Sequence, residues 1–542
     1  MKFLNVLLFM LISFGVAAQS TEYTRQDSLR GAITPEREWW DLTYYHLSMA
    51  VDPYQKFIKG TNLVKYDVLK SHQTMQIDLQ PPMRITRVSV AGIEQDFVRD
   101  GNAYFIRLSE KQKVGTSNEV FVEYEGKPVV SENPPWSGGL TWKKDSNGID
   151  FIATSCQGDG ASLWWPNKDH MYDEVEGMLI SVTVPEHLID VSNGRLKSVV
   201  QNDDKTKTYN WEVLNPINNY GVNINIGDYV NFSEVYDGEK GKLDMDYYVL
   251  RENLEKAKVQ FKQVGPMMEA FEHWFGPYPF YEDSYKLVEV PYLGMEHQSS
   301  VTYGNKYANG YLGRDVSGTG WGDKFDFIII HESGHEWFAN NITYKDMADM
   351  WIHESFTAYS ESIYTDYLYG KEAGADYVIG TRKNIRNEAP IIGDYDVNKS
   401  GSGDMYSKGA NMLHTIRTII NDDELWRSIL RGLNKEFYHS TVSTKQIEYY
   451  ISDKSHINFS KVFDQYLRNS DLPSFQYSIE GERLSYRWTK VVPGFDMPVY
   501  VKIDGAPIKL APTTSKKVIA LTNEIKSLEV NRNFYVTNER IK

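Results

Sequence analysis

Phe327-Ile-Ile-Ile-His-Glu-Ser-Gly-His335 sets two histidines four positions apart, with a glutamate directly after the first. At helical pitch His331 and His335 lie about 40° apart around the axis and about 6 Å apart along it, so both imidazoles can close on one metal ion. Glu332, about 100° from His331, is better aimed at a water on that ion than at the ion itself, which is the general-base position of a hydrolytic zinc site. The competing reading is a buried amphipathic helix whose histidines are satisfied by ordinary hydrogen bonds. Glu354 shifts the balance. It lies nineteen residues past His335 in Asp349-Met-Trp-Ile-His-Glu-Ser-Phe-Thr-Ala-Tyr-Ser-Glu361, whose apolar spacing at Trp351, Phe356 and Tyr359 predicts a second helix. Two helices joined by residues 341–347 can bring one carboxylate to the histidine pair. Three protein ligands with one position left open form the pattern of a catalytic rather than a structural zinc ion, one Zn2+ per chain.

Around this motif the chain has 542 residues, 41% hydrophobic and 13% aromatic, enough for about three or four domains with packed cores. A formal net charge of -15 argues against a nucleic-acid partner, which needs a clustered basic face. The first eighteen residues have a basic start at Lys2, an apolar run over residues 3–16 and small residues at Ala17 and Ala18, the pattern of a secretory signal peptide. That run is shorter than the ~20 residues needed to cross a bilayer, and Gln19 offers no lipid attachment point. An exported protein, periplasmic or secreted, without a stable membrane span is expected. Cys156 is the single cysteine, so no intramolecular disulfide forms, and its expected role is that of a small buried hydrophobe.

Texture divides the chain. From about Tyr44 to Asp228 short alternating runs recur, at residues 45–51, 84–90, 120–124, 178–184 and 221–226, which predicts a large antiparallel β domain. Residues 252–275 then predict a long amphipathic helix ending at Gly276-Pro-Tyr-Pro-Phe280, with helical runs following at 323–340, 351–370, 405–421 and 443–453. Residues 285–296 return to strand chemistry and predict an edge strand beside the metal motif. After Pro473 short strands reappear, as at 484–488 and 499–503, and predict a small β-sandwich. The expected architecture is multidomain α+β: a signal peptide at 1–18, a β domain at 19–235, a mainly helical zinc domain at 236–472 and a β-sandwich at 473–542.

These residues resemble the M1 family of zinc aminopeptidases, which also contains leukotriene A4 hydrolase. The motif helix is followed by Glu336-Trp337-Phe338-Ala339-Asn340, and Trp351-Ile-His-Glu-Ser-Phe-Thr357 is similar to the family's third-ligand helix. Tyr406-Ser-Lys-Gly409 matches the family's Tyr-x-Lys-Gly helix start, with the later arginine at Arg417, and Tyr278-Pro-Phe280 matches the turn upstream of the exopeptidase motif. That motif, Gly-x-Met-Glu-Asn in the family, is met in part by Leu293-Gly294-Met295-Glu296-His297. Replacement of its first Gly and last Asn bears on selectivity rather than on hydrolysis. Gln157, nine residues before Pro166, matches a Gln or Glu used as a second amine contact.

The resemblance implies a thermolysin-like catalytic domain and hydrolysis of the N-terminal residue from peptides with a free amine. It implies Glu332 as general base and Tyr406 as a phenolic donor to the developing oxyanion. It also implies Glu296 and Gln157 at the substrate ammonium, and Gly294 and Met295 along the extended peptide. An epoxide hydrolase of the leukotriene type and a non-catalytic peptide-binding relative are the alternatives. The chain ends after the β-sandwich, where many relatives carry a long helical domain, so a more open cleft is expected. Asp394, Asp396 and Asp404 could line a pocket for basic side chains, but the crowding of Asp, Gly and Ser over 393–404 reads as a solvated loop.

Overall fold

The structure is a computed structural model and describes residues 22–542; the signal segment expected at 1–18 lies outside the described residues. Alternation of apolar and polar side chains builds the first domain. Trp40–Asp52 and Phe57–Val68 pair antiparallel and bury Tyr45, Leu47, Met49, Ile58, Val64 and Tyr66 on the core face. They lie within an eight-stranded sheet. The domain is antiparallel as expected except at one seam, where Trp40–Asp52 runs parallel to Met178–Pro185, with Tyr45 opposite Met178. Alternation encodes the face a residue takes but not its neighbour's direction, and the long connection from Gly126 to Met178 allows a crossover. The strand expected at 221–226 begins only at Ile224, because Asn218 accepts from the Tyr220 N–H and holds Asn219–Gly221 in a tight turn.

A five-stranded sheet carries the chain towards the metal motif. Its order is Tyr229–Gly238, Gly241–Leu250, Tyr285–Glu289, Val301–Tyr303, Gly294–Met295. The first of these strands runs across the boundary expected between residues 235 and 236 and pairs with Gly241–Leu250 along its length. The edge strand expected over 285–296 is divided in two. Tyr285–Glu289 lies inside the sheet with all five residues buried, whereas only Gly294–Met295 forms the edge, antiparallel to Val301–Tyr303. Pro291 separates them, since it lacks the N–H that a continuing ladder needs.

The helix expected at 252–275 is present as Leu254–Gln260 and Val264–Phe275 with one tight turn between, and Gly276, at φ 97°, ends it. The motif helix is shorter than its apolar pattern, Phe327–Gly334. Beyond His335 the backbone leaves helical geometry at Phe338 (φ -127°, ψ 77°), which turns Trp337 and Phe338 into the core against Phe271, Phe275 and Phe356. The second helix, Trp351–Tyr369, runs its full expected length and stops at Gly370 (φ 96°). Ser407–Ile420 packs on it. Asp423–Glu436 and Ser460–Arg468 are further amphipathic helices. From Ser474 onward four-stranded and three-stranded sheets form the C-terminal unit. Its Phe475, Trp488 and Val501 share one apolar core with the helices Phe327–Gly334, Trp351–Tyr369 and Ser407–Ile420, and Tyr535 N–H donates to Thr415 Oγ1 at 3.0 Å. Among the described residues no helix is long and apolar enough to cross a membrane.

Candidate metal centre

Asp326 starts the motif helix by accepting from the Ile328 and Ile329 N–H groups, and burial pushes its carboxyl up to about 6. One turn on, His331 and His335 share a helix face, with ring centroids 5.1 Å apart. Each ring is fixed through Nδ1. That of His331 donates to Glu361 Oε1 at 2.7 Å, and that of His335 lies 3.1 Å from the Phe338 carbonyl and 3.0 Å from Thr357 Oγ1. Both Nε2 atoms therefore face Glu354, whose Oε2 is 3.8 Å from His331 and 3.5 Å from His335.

The donor atoms of His331, His335 and Glu354 all lie within 4.8 Å of one another, and all three side chains are buried. Glu354 Oε2 has no hydrogen-bond partner although it is buried, a costly state for a carboxylate unless a cation completes it. Burial opposes its ionisation, yet the imidazoles of His335 and His331 hold the Glu354 carboxyl far below the usual range. Two imidazoles and one carboxylate, each imidazole oriented by a bond from its far nitrogen, fit a zinc ion with an open coordination position. Adjacent His353 is not part of the set: its Nε2 accepts from the Tyr344 N–H at 2.9 Å.

Glu332 stands beside the ligands. Burial pushes its carboxyl up to about 7, with His331 pulling the other way and Glu296 adding to the rise. One carboxylate oxygen each of Glu332 and Glu296, with a nitrogen of His335, fall within 4.8 Å of one another. Gly294 makes this approach possible: a Cβ there would meet Ile328 Cγ2 at 2.6 Å, the Thr302 carbonyl at 2.9 Å and Glu332 Cγ at 3.3 Å. Gln157 comes from the first domain and donates through Nε2 to Glu296 Oε1 at 2.6 Å and Glu354 Oε1 at 3.0 Å. Tyr220, not singled out from sequence, donates to the same Glu296 oxygen at 3.2 Å, and Asn340 holds the Glu296 carbonyl at 2.9 Å.

Tyr406 precedes the helix Ser407–Ile420, and its ring lies 6.0 Å from that of His331 at an interplanar angle of 27°. Desolvation in the cleft wall, then the charges of Glu354, Glu296 and Glu332, push its phenol well above the usual range, so it stays a proton donor. Met295 and Gly294 line the same cleft, whose volume is about 720 Å³. His297 is fully buried, its Nδ1 3.4 Å from Thr302 Oγ1, and burial pushes it down to about 3, so it is a neutral packing residue. Asp404 accepts from the Arg386 and Asn387 N–H groups, and Asp394 accepts from Tyr23; the three loop aspartates are not in the cleft lining. Cys156 is buried, with burial pushing its thiol up.

A buried His, His, Glu centre with an unligated carboxylate at its side, at the floor of a cleft between a helical and a β domain, is the class of site that suits a hydrolytic zinc ion. Comparison with known proteins narrows the class. Residues 259–466 match the peptidase family M1 domain. It is 22% identical to a leucyl aminopeptidase of Saccharolobus solfataricus over 86% of this chain and 60% of that protein. It is 23% identical to a leukotriene A-4 hydrolase of Xenopus laevis over 76% and 68%. The chain thus spans about 60% of the length of the first of these relatives. Among solved structures, a mutant M1 zinc metallopeptidase of Deinococcus radiodurans bound to a Tyr-Ser-Ala substrate superposes with a TM-score of 0.68 at 18% identity, covering 80% of this chain and 95% of that one. This likeness shows a shared fold.

Proposed function

We propose that this chain is a zinc-dependent aminopeptidase that removes the N-terminal residue of peptides. The observation that carries the reading is that Gln157 Nε2 donates to both Glu296 and Glu354, which sets an amine-recognising carboxylate directly beside the metal-binding set. A peptide ammonium pairs there with the Glu296 carboxylate and the Gln157 carbonyl oxygen. His331, His335 and Glu354 would hold a zinc ion, which would supply Lewis acidity towards the scissile carbonyl and a nearby water.

The chain's own groups do the rest. Glu332, with its carboxyl near 7, takes a proton from the attacking water and passes it to the leaving nitrogen. Tyr406 keeps its proton and donates to the carbonyl oxygen as charge builds there. Gly294 and Met295, on the sheet edge, offer main-chain groups to the extended substrate. Export to the periplasm or beyond belongs to the same proposal and rests on Lys2, the apolar run at 3–16 and Ala17-Ala18.

The test is cleavage of aminoacyl-naphthylamides by the purified protein, abolished by a chelator and restored by Zn2+. Equal rates on N-acetylated and free peptides would overturn the exopeptidase reading, and absence of any cleavage by the zinc-loaded protein would favour a binding role.

A further inference from the structure

The cleft does not end at the sheet edge. Trp136 and Leu293 line both the metal-bearing cleft and a second hollow of about 490 Å³ on its far side. That hollow is walled by Pro291, Tyr292, Tyr303 and Tyr307 and carries Lys256 and Lys306. Trp136 is 64% exposed, a large apolar surface for a residue standing between two concavities.

The direction of a bound peptide follows from the site. Its ammonium belongs at Glu296, and its first peptide bond must lie near Glu332, which is packed against Gly294. The peptide therefore runs from residue 296 back past 294 towards 293 and 291. Gly294–Met295 ends the order of its sheet, so its outer edge can take an added strand. At ~3.3 Å per residue, the chain passes Leu293 about one residue after the scissile bond and reaches Pro291, inside the hollow, about three residues after it.

The charges there favour an anion. Lys256 Nζ rests on the neutral Asn253 Oδ1 at 3.1 Å, Lys306 is exposed, and Lys143 Nζ reaches the Pro291 carbonyl at 2.8 Å. The one acidic residue of the lining, Glu289, is buried, and its oxygens accept from Leu250 N–H and Asn253 Nδ2, each at 2.7 Å. Resting on the aminopeptidase reading, we propose that this hollow is a downstream subsite that selects peptides carrying a carboxylate, C-terminal or on an acidic side chain, about three or more residues past the scissile bond. Trp136 supplies its apolar shoulder, and Lys256 and Lys306 supply its charge.

The test uses the zinc-loaded full chain and leucine-headed peptides of increasing length. One set carries free C-termini, one carries C-terminal amides, and one carries amides with a glutamate at the fourth position. The free acids and the glutamate amides are expected to gain about fivefold in kcat/KM once they reach four or five residues, and the plain amides are not. The double variant Lys256→Glu/Lys306→Glu is expected to erase that gain while leaving aminoacyl-naphthylamide hydrolysis unchanged. A gain in the free acids alone assigns the C-terminal carboxylate, a gain in the glutamate amides alone assigns the side chain, and equal gains show that the subsite takes either carboxylate. Length-independent kcat/KM, or a gain untouched by the lysine reversal, would overturn the subsite while the reporter still shows an aminopeptidase. Loss of reporter cleavage by the unaltered protein would instead strike the underlying activity.

Discussion

The Nδ1 of His331 donates to Glu361 at 2.7 Å, and Tyr377 donates to the other oxygen of that carboxylate at 2.5 Å. The chain Tyr377, Glu361, His331 fixes the ring that offers Nε2 to the metal and raises its basicity as a ligand. Glu361→Ala is therefore expected to weaken zinc binding by about 10- to 100-fold. The measurement is a competition titration with a chromophoric chelator. Unaltered affinity would reduce Glu361 to a packing role.

Glu332 and Tyr406 are separable from metal binding, because neither supplies an atom to the His, His, Glu set. Glu332→Gln should retain one zinc per chain by metal analysis and lose ~10³-fold in kcat. Tyr406→Phe should likewise keep its metal and lose about 10²-fold, with little change in KM. A Glu332→Gln protein of normal turnover would remove the general base from the mechanism.

In the proposed reaction Glu296 holds the amine end. Its replacement by Ala deletes a charge-assisted bond of about 1.5–3 kcal/mol, so KM for aminoacyl substrates should rise at least about tenfold while zinc content stays at one per chain. Because the selectivity for a free amine originates here, the variant should also narrow the gap between free and N-acetylated peptides. Steady-state kinetics on the two substrate types checks both.

Much of this site was legible because helical periodicity is a local property. His331, His335 and Glu332 are placed by a single turn, and Glu354 by the apolar spacing of its own helix. Glu361 follows Glu354 by two turns on the same helix and was readable on the same ground, although its function depends on a ring in another helix. Gln157 could be singled out only by family likeness and Tyr220 not at all, since both arrive from a β domain whose docking no sequence window encodes. The parallel seam at Tyr45 and Met178 escaped for a related reason: alternation assigns faces, not neighbours. The motif helix ends eight residues in because aromatic packing of Trp337 and Phe338 overrides propensity.

Gly294 has no room for a side chain. A Cβ would lie 2.6 Å from Ile328 Cγ2 and 2.9 Å from the Thr302 carbonyl, both parts of a packed core, so Gly294→Ala must push the edge strand away from the motif helix. A stability loss of about 1–3 kcal/mol is expected, read by denaturant titration. Glu296 shares that two-residue strand's exit, so KM should rise as well. A variant of normal stability and normal KM would show that the strand can shift without carrying the amine site with it.

Glu174 gives a pH signature at the junction of the two large domains, where Thr343 donates to its Oε1 at 2.5 Å. Burial, only partly offset by the Thr343 bond, pushes its carboxyl from 4.5 up to about 7. A carboxyl raised on folding favours the folded state while protonated, so its contribution is complete below pH 4.5 and is lost as pH rises through 7. Glu174→Gln keeps an acceptor for Thr343 and cannot ionise. Its stability relative to the parent protein should therefore match near pH 4.5, grow between pH 4.5 and 7, and level off above. Thermal unfolding across that range checks the sign, and a difference that does not change with pH would mean that Glu174 ionises at its ordinary value in the folded protein.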